Sequence, residues 1–175
     1  MEHPHETGKK ASDAKSVSKT LAILSTFDER TPMQRTSDIA ARLGMNISTV
    51  SRHLNTLLDL GFFRRDDETG CYYPGTQIIS LAGVALQDSD VYRYSFPELQ
   101  LLSFRYGVHS HMSIQDDTEI MHLNSCCCEH TMDLFVPMGH RQPMYCSAMG
   151  RIMLAYMPEA KAEDILKRSN REKRT

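Results

Sequence analysis

Apolar residues fall at helical spacing in "SVSKTLAILSTF" (Ser16 to Phe27), where Val17, Leu21, Leu24 and Phe27 share one face. "DERTPMQR" breaks that periodicity with Pro32. Thr36 is then placed to cap a second helix, "SDIAARLG", with Ser37 and Asp38 in its first turn and Gly44 where it must stop. Asn46 can cap a third helix that runs to Gly61. In it Ile47, Val50, Leu54, Leu57 and Leu58 lie on one arc, and Ser48, Thr49, Arg52 and Thr56 lie on the opposite arc. "FFRR" and "CYY" follow as β-prone runs around "DDETG", which predicts a hairpin. Two short helices meeting at "RLGMN" fit a helix-turn-helix, and the hairpin makes it a winged one.

The remaining chain predicts a different architecture. "QIISLAGVAL" reads as a linker helix weakened by Gly83. "DVYRYSFPELQLLSFRYG" predicts a helix beginning near Phe96 and Pro97, because proline is accepted in a first turn. "VHSHMSIQ" and "EIMHLNS" alternate around "DDT", "MDLFVPMG" is a third β-prone piece, and "SAMGRIMLAYM" and "EAKAEDILKRS" read as helices meeting at Pro158. Strands followed by helices make an α+β unit with an antiparallel sheet. The expected organisation is therefore a disordered arm over residues 1–15, a winged helix-turn-helix over 16–76, a linker helix over 77–90 and an α+β domain over 91–175.

These pieces resemble the IclR family of bacterial transcription regulators, winged helix-turn-helix proteins with a C-terminal ligand-sensing domain. The resemblance rests on "SVSKTLAIL", "TSDIAARLGMNISTVSRHLNTLLDLGFF" and "ETGCYYPGTQIISLAG", and less densely on "DDTEIMHL" and "PMGHRQPMYCSAMGRIMLAYMP". It implies a DNA-binding regulator, a repressor acting as a dimer on a palindrome, with Leu21, Leu24, Leu81 and Leu86 as interface or, equally, as internal core. It also implies that "CSAMGR" enters a helix lining an effector pocket, which carries Ser147, Ala148, Met149 and Gly150 over as effector-binding positions. Backbone N–H groups at a helix start favour a small organic acid; an ordinary N-cap with close packing at Gly150 is the equal alternative. Family members generally continue beyond the point where this sequence ends in "KRSNREKRT", so the sensing domain is expected to be incomplete and its ligand response in doubt.

A recognition helix packs one arc on its own domain and presents compact donors and acceptors on the other. Ser48 and Thr49 are placed to donate to phosphate or meet a base edge, and Arg52 to grip a guanine through two parallel bonds. His53 and Thr56 lie at the margin of that face. Arg64 and Arg65 can reach flanking phosphate or the minor groove, unless they form a solvated turn paired with Asp66 and Asp67. Arg35 and Thr36 are further phosphate candidates. For Arg52 and its neighbours the bland alternative is a solvated helix face.

Composition narrows this picture rather than widening it. Net charge is −2, and residues 1–75 balance ten Lys/Arg against ten Asp/Glu, so DNA binding must rest on where charges sit. The polar start lacks an apolar signal core and no apolar run spans a bilayer, which implies a cytoplasmic chain with no membrane partner. Among the cysteines, Cys126 and Cys128 with His122 and His130 are a conceivable zinc set, but their spacing fits no common structural site. Cys127 or Cys146 beside His130 or His140 lacks a readable orienting group, and His109 and His111 are expected to face solvent. No cofactor and no catalysis are expected. The competing function is a protein-interaction remnant that pairs with a longer relative.

Overall fold

Helix α1 (His5–Leu24) starts well before Ser16. Residues 6–15 hold few apolar side chains, but half of them are Ala or Lys, which lose little freedom in a helix. Propensity therefore carries the helix through most of the expected arm. The computed structural model describes residues 5–127 and 135–169, which fall into two units divided between Ala85 and Leu86.

In the first unit, α2 (Thr36–Leu43) and α3 (Ile47–Asp59) are joined through Gly44, whose φ of 61° is the left-handed region where a side chain would be strained. The N-cap of α2 is Arg35, not Thr36: the Asp38 carboxylate reaches back to the Arg35 N–H at 3.2 Å, which moves the cap one residue earlier. Asn46 caps α3 as expected, its Oδ1 accepting from the Ser48 N–H at 2.9 Å. The wing is the antiparallel pair β1 (Phe63–Arg65) and β2 (Tyr72–Pro74). Gln34 adds a backbone bridge to Tyr72, donating at 3.1 Å and accepting at 2.8 Å, so the segment that breaks the helical pattern also extends the wing.

Ile23, Ile39, Val50 and Leu54 are fully buried together with Leu57, Phe63 and Tyr72, and the Phe27 and Phe63 rings lie 4.6 Å apart. Each such aliphatic side chain contributes roughly 1.5–3 kcal/mol when buried. Arg42 ties the start of this unit together by donating to the Thr26 carbonyl at 2.7 Å and pairing with Asp28 at 3.3 Å. The Thr31 hydroxyl and N–H, with Arg42, hold the Asp28 carboxyl down at about 2. Helix α4 (Thr76–Gln87) follows and has no buried residue.

The second unit opens with α5 (Asp90–Tyr106), capped by the Ser89 hydroxyl, which accepts from the Tyr92 N–H at 3.3 Å. Pro97 thus sits inside the helix rather than in its first turn, because the Ser89–Asp90 start signal outweighs the one hydrogen bond that proline removes. Strands β3 (Ser110–Asp116) and β4 (Glu119–Cys126) form a hairpin around Asp117, with a bulge at Met112/Ser113. The third strand, β5 (Arg141–Pro143), pairs with β4 and lies after "MDLFVPMG". Residues 132–134 of that piece lie outside the described residues, and 135–140 are irregular. Helices α6 (Ala148–Ala155) and α7 (Glu159–Arg168) complete the unit. Ile120, Met144 and Ile165 form its buried centre, and Arg168 holds Asp117 in the hairpin turn at 2.6 Å.

Candidate nucleic-acid interface

The sequence splits α3 into two arcs, and its packing divides them further. Val50, His53, Leu54 and Leu57 are buried, while Ser48, Arg52, Asn55, Thr56 and Asp59 are exposed. Thr49 is half-buried at the edge. Ser48, Arg52, Asn55 and Asp59 recur at spacings of four, three and four, so they form one stripe along the outside of the helix. Asn55 is missing from the residues that the sequence singles out, although its position seven residues after Ser48 and three after Arg52 is signal enough.

Ile47 departs from the expected core arc. It is 58% exposed, because it opens the first turn of α3 and the residues that close the core begin at Val50. The front of the helix therefore presents an aliphatic side chain beside its polar stripe.

His53 also departs from expectation, in the opposite sense. It is buried at 9% exposure, and its Nδ1 lies 2.9 Å from the Thr20 Oγ1 on α1. The Thr20 hydroxyl also lies 3.1 Å from the Ser16 carbonyl, so it links His53 to the backbone of α1. A histidine in this position holds α3 against α1 and is not part of the exposed face. Burial, and then the charges of Arg52 and Lys19, lower its pKa. Burial thus favours the neutral ring. Its stabilising contribution is complete above the unfolded value of about 6.5 and is lost as pH falls through the lower folded value. Denaturant melts between about pH 7.5 and about pH 5.5 should therefore show the wild type losing more stability than His53→Gln. Parallel losses would show that the ring carries no such linkage.

The hydroxyls on the outer face are largely engaged. Ser48 Oγ donates to Asn46 Oδ1 at 2.7 Å, and Thr56 Oγ1 donates to the Arg52 carbonyl at 3.1 Å. Both retain lone pairs while their protons are engaged at the helix surface, an arrangement in which Ser48 meets a base edge or phosphate as a donor only by giving up its bond to Asn46. Among the described residues, neither Arg52 nor Asn55 gives a side-chain hydrogen bond to a protein group, so their donors face outward.

At the wing, Arg64 and Arg65 are exposed on β1. The Arg64 guanidinium lies 4.8 Å over the Tyr73 ring and that of Arg65 5.7 Å over Tyr72. Asp66 accepts from the Thr69 N–H at 2.7 Å, the Thr69 hydroxyl at 2.8 Å and the Glu68 N–H at 3.1 Å, and these bonds, Thr69's foremost, lower its pKa. The Asp66 carboxylate is thus turned into its own loop, while Asp67 and Glu68 remain exposed. At α2, Arg35 is exposed and Thr36 half-buried. Asp38 already occupies the helix N-terminus by accepting from the Arg35 N–H.

In the second unit, Ser147 is buried and its Oγ accepts from the Gly150 N–H at 3.0 Å, capping α6. A Cβ on Gly150 would come within 2.4 Å of both Met144 Cα and its carbonyl oxygen, so the close-packing role is present. Met149 packs against Ile120, Met144 and Ile165, and Ala148 is exposed. Of the sulfur and imidazole cluster, Cys128 and His130 lie outside the described residues. Cys126 and Cys127 are half-buried free thiols and Cys146 is an exposed one. His122 is buried among imidazoles, 6.2 Å from His111 and 5.6 Å from His140 between ring centroids. His111 does not face solvent as expected: its Nδ1 is 3.0 Å from Ser125 Oγ across the hairpin. No group of three His, Cys, Asp or Glu suited to a metal occurs among the described residues.

Comparison with known proteins places these features. The IclR helix-turn-helix domain matches residues 16–67, and the bacterial transcriptional regulator IclR C-terminal domain matches residues 83–175. KdgR, an HTH-type transcriptional regulator of Dickeya chrysanthemi, is 25% identical over 158 residues, covering 90% of this chain and 52% of its own. The chain thus spans about half the length of that relative. A transcriptional regulator of Rhodococcus sp. RHA1 superposes with a TM-score of 0.77 at 25% identity, over 92% of this chain and 63% of the other. An IclR homologue of Microbacterium hydrocarbonoxydans, solved with 4-hydroxybenzoate, shares the fold at 22% identity and TM-score 0.74, over 88% and 64%. With its winged unit and its α+β unit both matched, the chain belongs to the IclR family of bacterial transcriptional regulators.

Proposed function

We propose that the chain is a sequence-specific DNA-binding transcription regulator, acting in the cytoplasm and repressing by occupying a palindromic operator as a homodimer. The observation that carries this reading is α3 itself. Val50, Leu54 and Leu57 of its apolar arc are sealed in the core, and its outer stripe keeps Arg52 and Asn55 uncommitted beside a wing bearing Arg64 and Arg65. Residues 16–76 serve as the DNA-binding domain, 77–90 as linker and 91–175 as effector domain. No helix among the described residues is long and apolar enough to cross a membrane.

Support for a dimer comes from apolar side chains that the first unit leaves open. Leu21 is 56% exposed on α1, next to exposed Val17, and Leu81 is 51% exposed on α4 between exposed Ile79 and Val84. Leu24, by contrast, packs on the core, and Leu86 is half-buried. The interface therefore draws on Leu21 and Leu81 rather than on all four leucines. Two winged units on one duplex would set half-sites about 34–36 Å apart. An effector, if bound, is a small organic acid at the start of α6, in keeping with the 4-hydroxybenzoate held by the Microbacterium homologue.

Selecting bound fragments from random duplex DNA tests the reading as a whole. The expected product is a palindrome whose affinity falls steeply with salt, with a log–log slope of about −0.9 per phosphate contacted. Leu21→Lys is expected to abolish cooperative occupation of the two half-sites while leaving the winged unit folded. Recovery of no enriched sequence would end the regulator reading, and a wild-type monomer on DNA by ultracentrifugation would end the dimer.

A further inference from the structure

Asn55 occupies an exposed position in the middle of α3, and asparagine is a poor helix former because its side chain competes with the backbone. Nothing in the first unit repays that choice. Ser48 and Thr56 on the same face close their hydroxyl protons onto Asn46 Oδ1 and the Arg52 carbonyl. The Asn55 carboxamide makes no side-chain hydrogen bond to another described residue. The residue is exposed, so its N–H donors and carbonyl acceptor remain available on the outer face of α3.

That donor–acceptor pair matches N7 and N6 of adenine in the major groove, as a guanidinium matches N7 and O6 of guanine. Arg52 and Asn55 are three residues apart, so they are separated by about 4.5 Å along the helix and about 60° around it. A base-pair step is about 3.4 Å. Two side chains so placed meet neighbouring base pairs. Asp59, the next residue on the stripe, brings a carboxylate that phosphate repels, so the helix must present its N-terminal and middle turns to the groove and hold its C-terminal end out.

We propose that Asn55 is a specificity-determining residue that reads an adenine in each half-site, next to a guanine read by Arg52. This rests on the DNA-binding reading above and sharpens it to a dinucleotide. The alternatives, a phosphate contact or plain solvation, predict different behaviour.

The test uses the full chain and the duplexes that the wild type selects from random DNA. Each adenine of a half-site is replaced in turn by 7-deazaadenine, which lacks the N7 acceptor, and affinities are measured for the wild type and Asn55→Ala. At one adenine per half-site the wild type should lose about fivefold or more, and Asn55→Ala, already weaker, should lose nothing further there. Thermal unfolding of Asn55→Ala should be unchanged or improved, since alanine is the better helix former. Equal weakening of Asn55→Ala on every duplex, scrambled ones included, would make the contact a phosphate one and overturn the proposal. So would affinity equal to the wild type on all of them. A wild type that retains no duplex would overturn the DNA reading itself, and this one with it.

Discussion

Replacing Gly75 by alanine is expected to lower the melting temperature of the first unit by about 10 °C or more. A Cβ at this position would lie 2.3 Å from the Gly61 carbonyl oxygen and 3.0 Å from the Phe62 carbonyl carbon. All of the obstructing atoms are backbone, and that backbone is held from both sides. Gly75 donates to the Phe62 carbonyl at 2.7 Å, and Gln77 donates to the Gly61 carbonyl at 3.2 Å. The chain leaving the wing is thereby pinned against the chain leaving the recognition helix. Relief requires these strands to part, breaking a hydrogen bond and lifting Phe63 and Tyr72 from the core, at a cost of about 3 kcal/mol. Gly83→Ala supplies the contrast. It sits inside α4, and a methyl added there would meet nothing within 4 Å, so the change should stabilise by about 0.5–1 kcal/mol. Thermal melts of the two variants side by side measure both, and a Gly75→Ala protein as stable as the wild type would show that this close approach does not exist.

Arg52→Ala is expected to cost roughly 1–3 kcal/mol in discrimination at one base pair, about 5- to 150-fold, while binding to unrelated duplexes falls much less. Arg52 is exposed and carries no fold contact that its removal would break, so the variant should melt with the wild type. Isotherms on the matched operator and on single-mismatch duplexes separate two roles. Loss confined to one position marks a base contact. Uniform loss with a shallower salt slope marks a phosphate clamp. Because the Arg52 charge is among the causes that depress His53, the same variant should also move the His53 titration upward, a spectroscopic sign that the neighbouring packing is intact.

Much of the winged unit is legible in the chain because its signals are local. Gly44 stops α2 through a backbone angle that only a short stretch of chain determines, and Asn46 starts α3 through a bond to a residue two positions on. The β-prone runs around "DDETG" yield β1 and β2, with Asp66 turning the loop on its own neighbours. In the second unit the same logic finds the β3–β4 hairpin, α6 and α7. It misses the start of α5, where Pro97 is a more conspicuous signal than the Ser89 cap that prevails. It misses β5, whose three residues carry no periodicity of their own and form a strand only by pairing with β4.

The period, the polarity and most of the ends of the helices are written in the chain, since these follow from backbone geometry and nearest neighbours. Which polar groups on α3 remain open was decided only in three dimensions. His53 is withdrawn by Thr20, 33 residues away, and Ile47 stays outside while Val50 in the same turn is buried. A periodic pattern states which arc a side chain occupies, but whether that arc is covered depends on surfaces brought from elsewhere in the chain, and burial is a property of the two together.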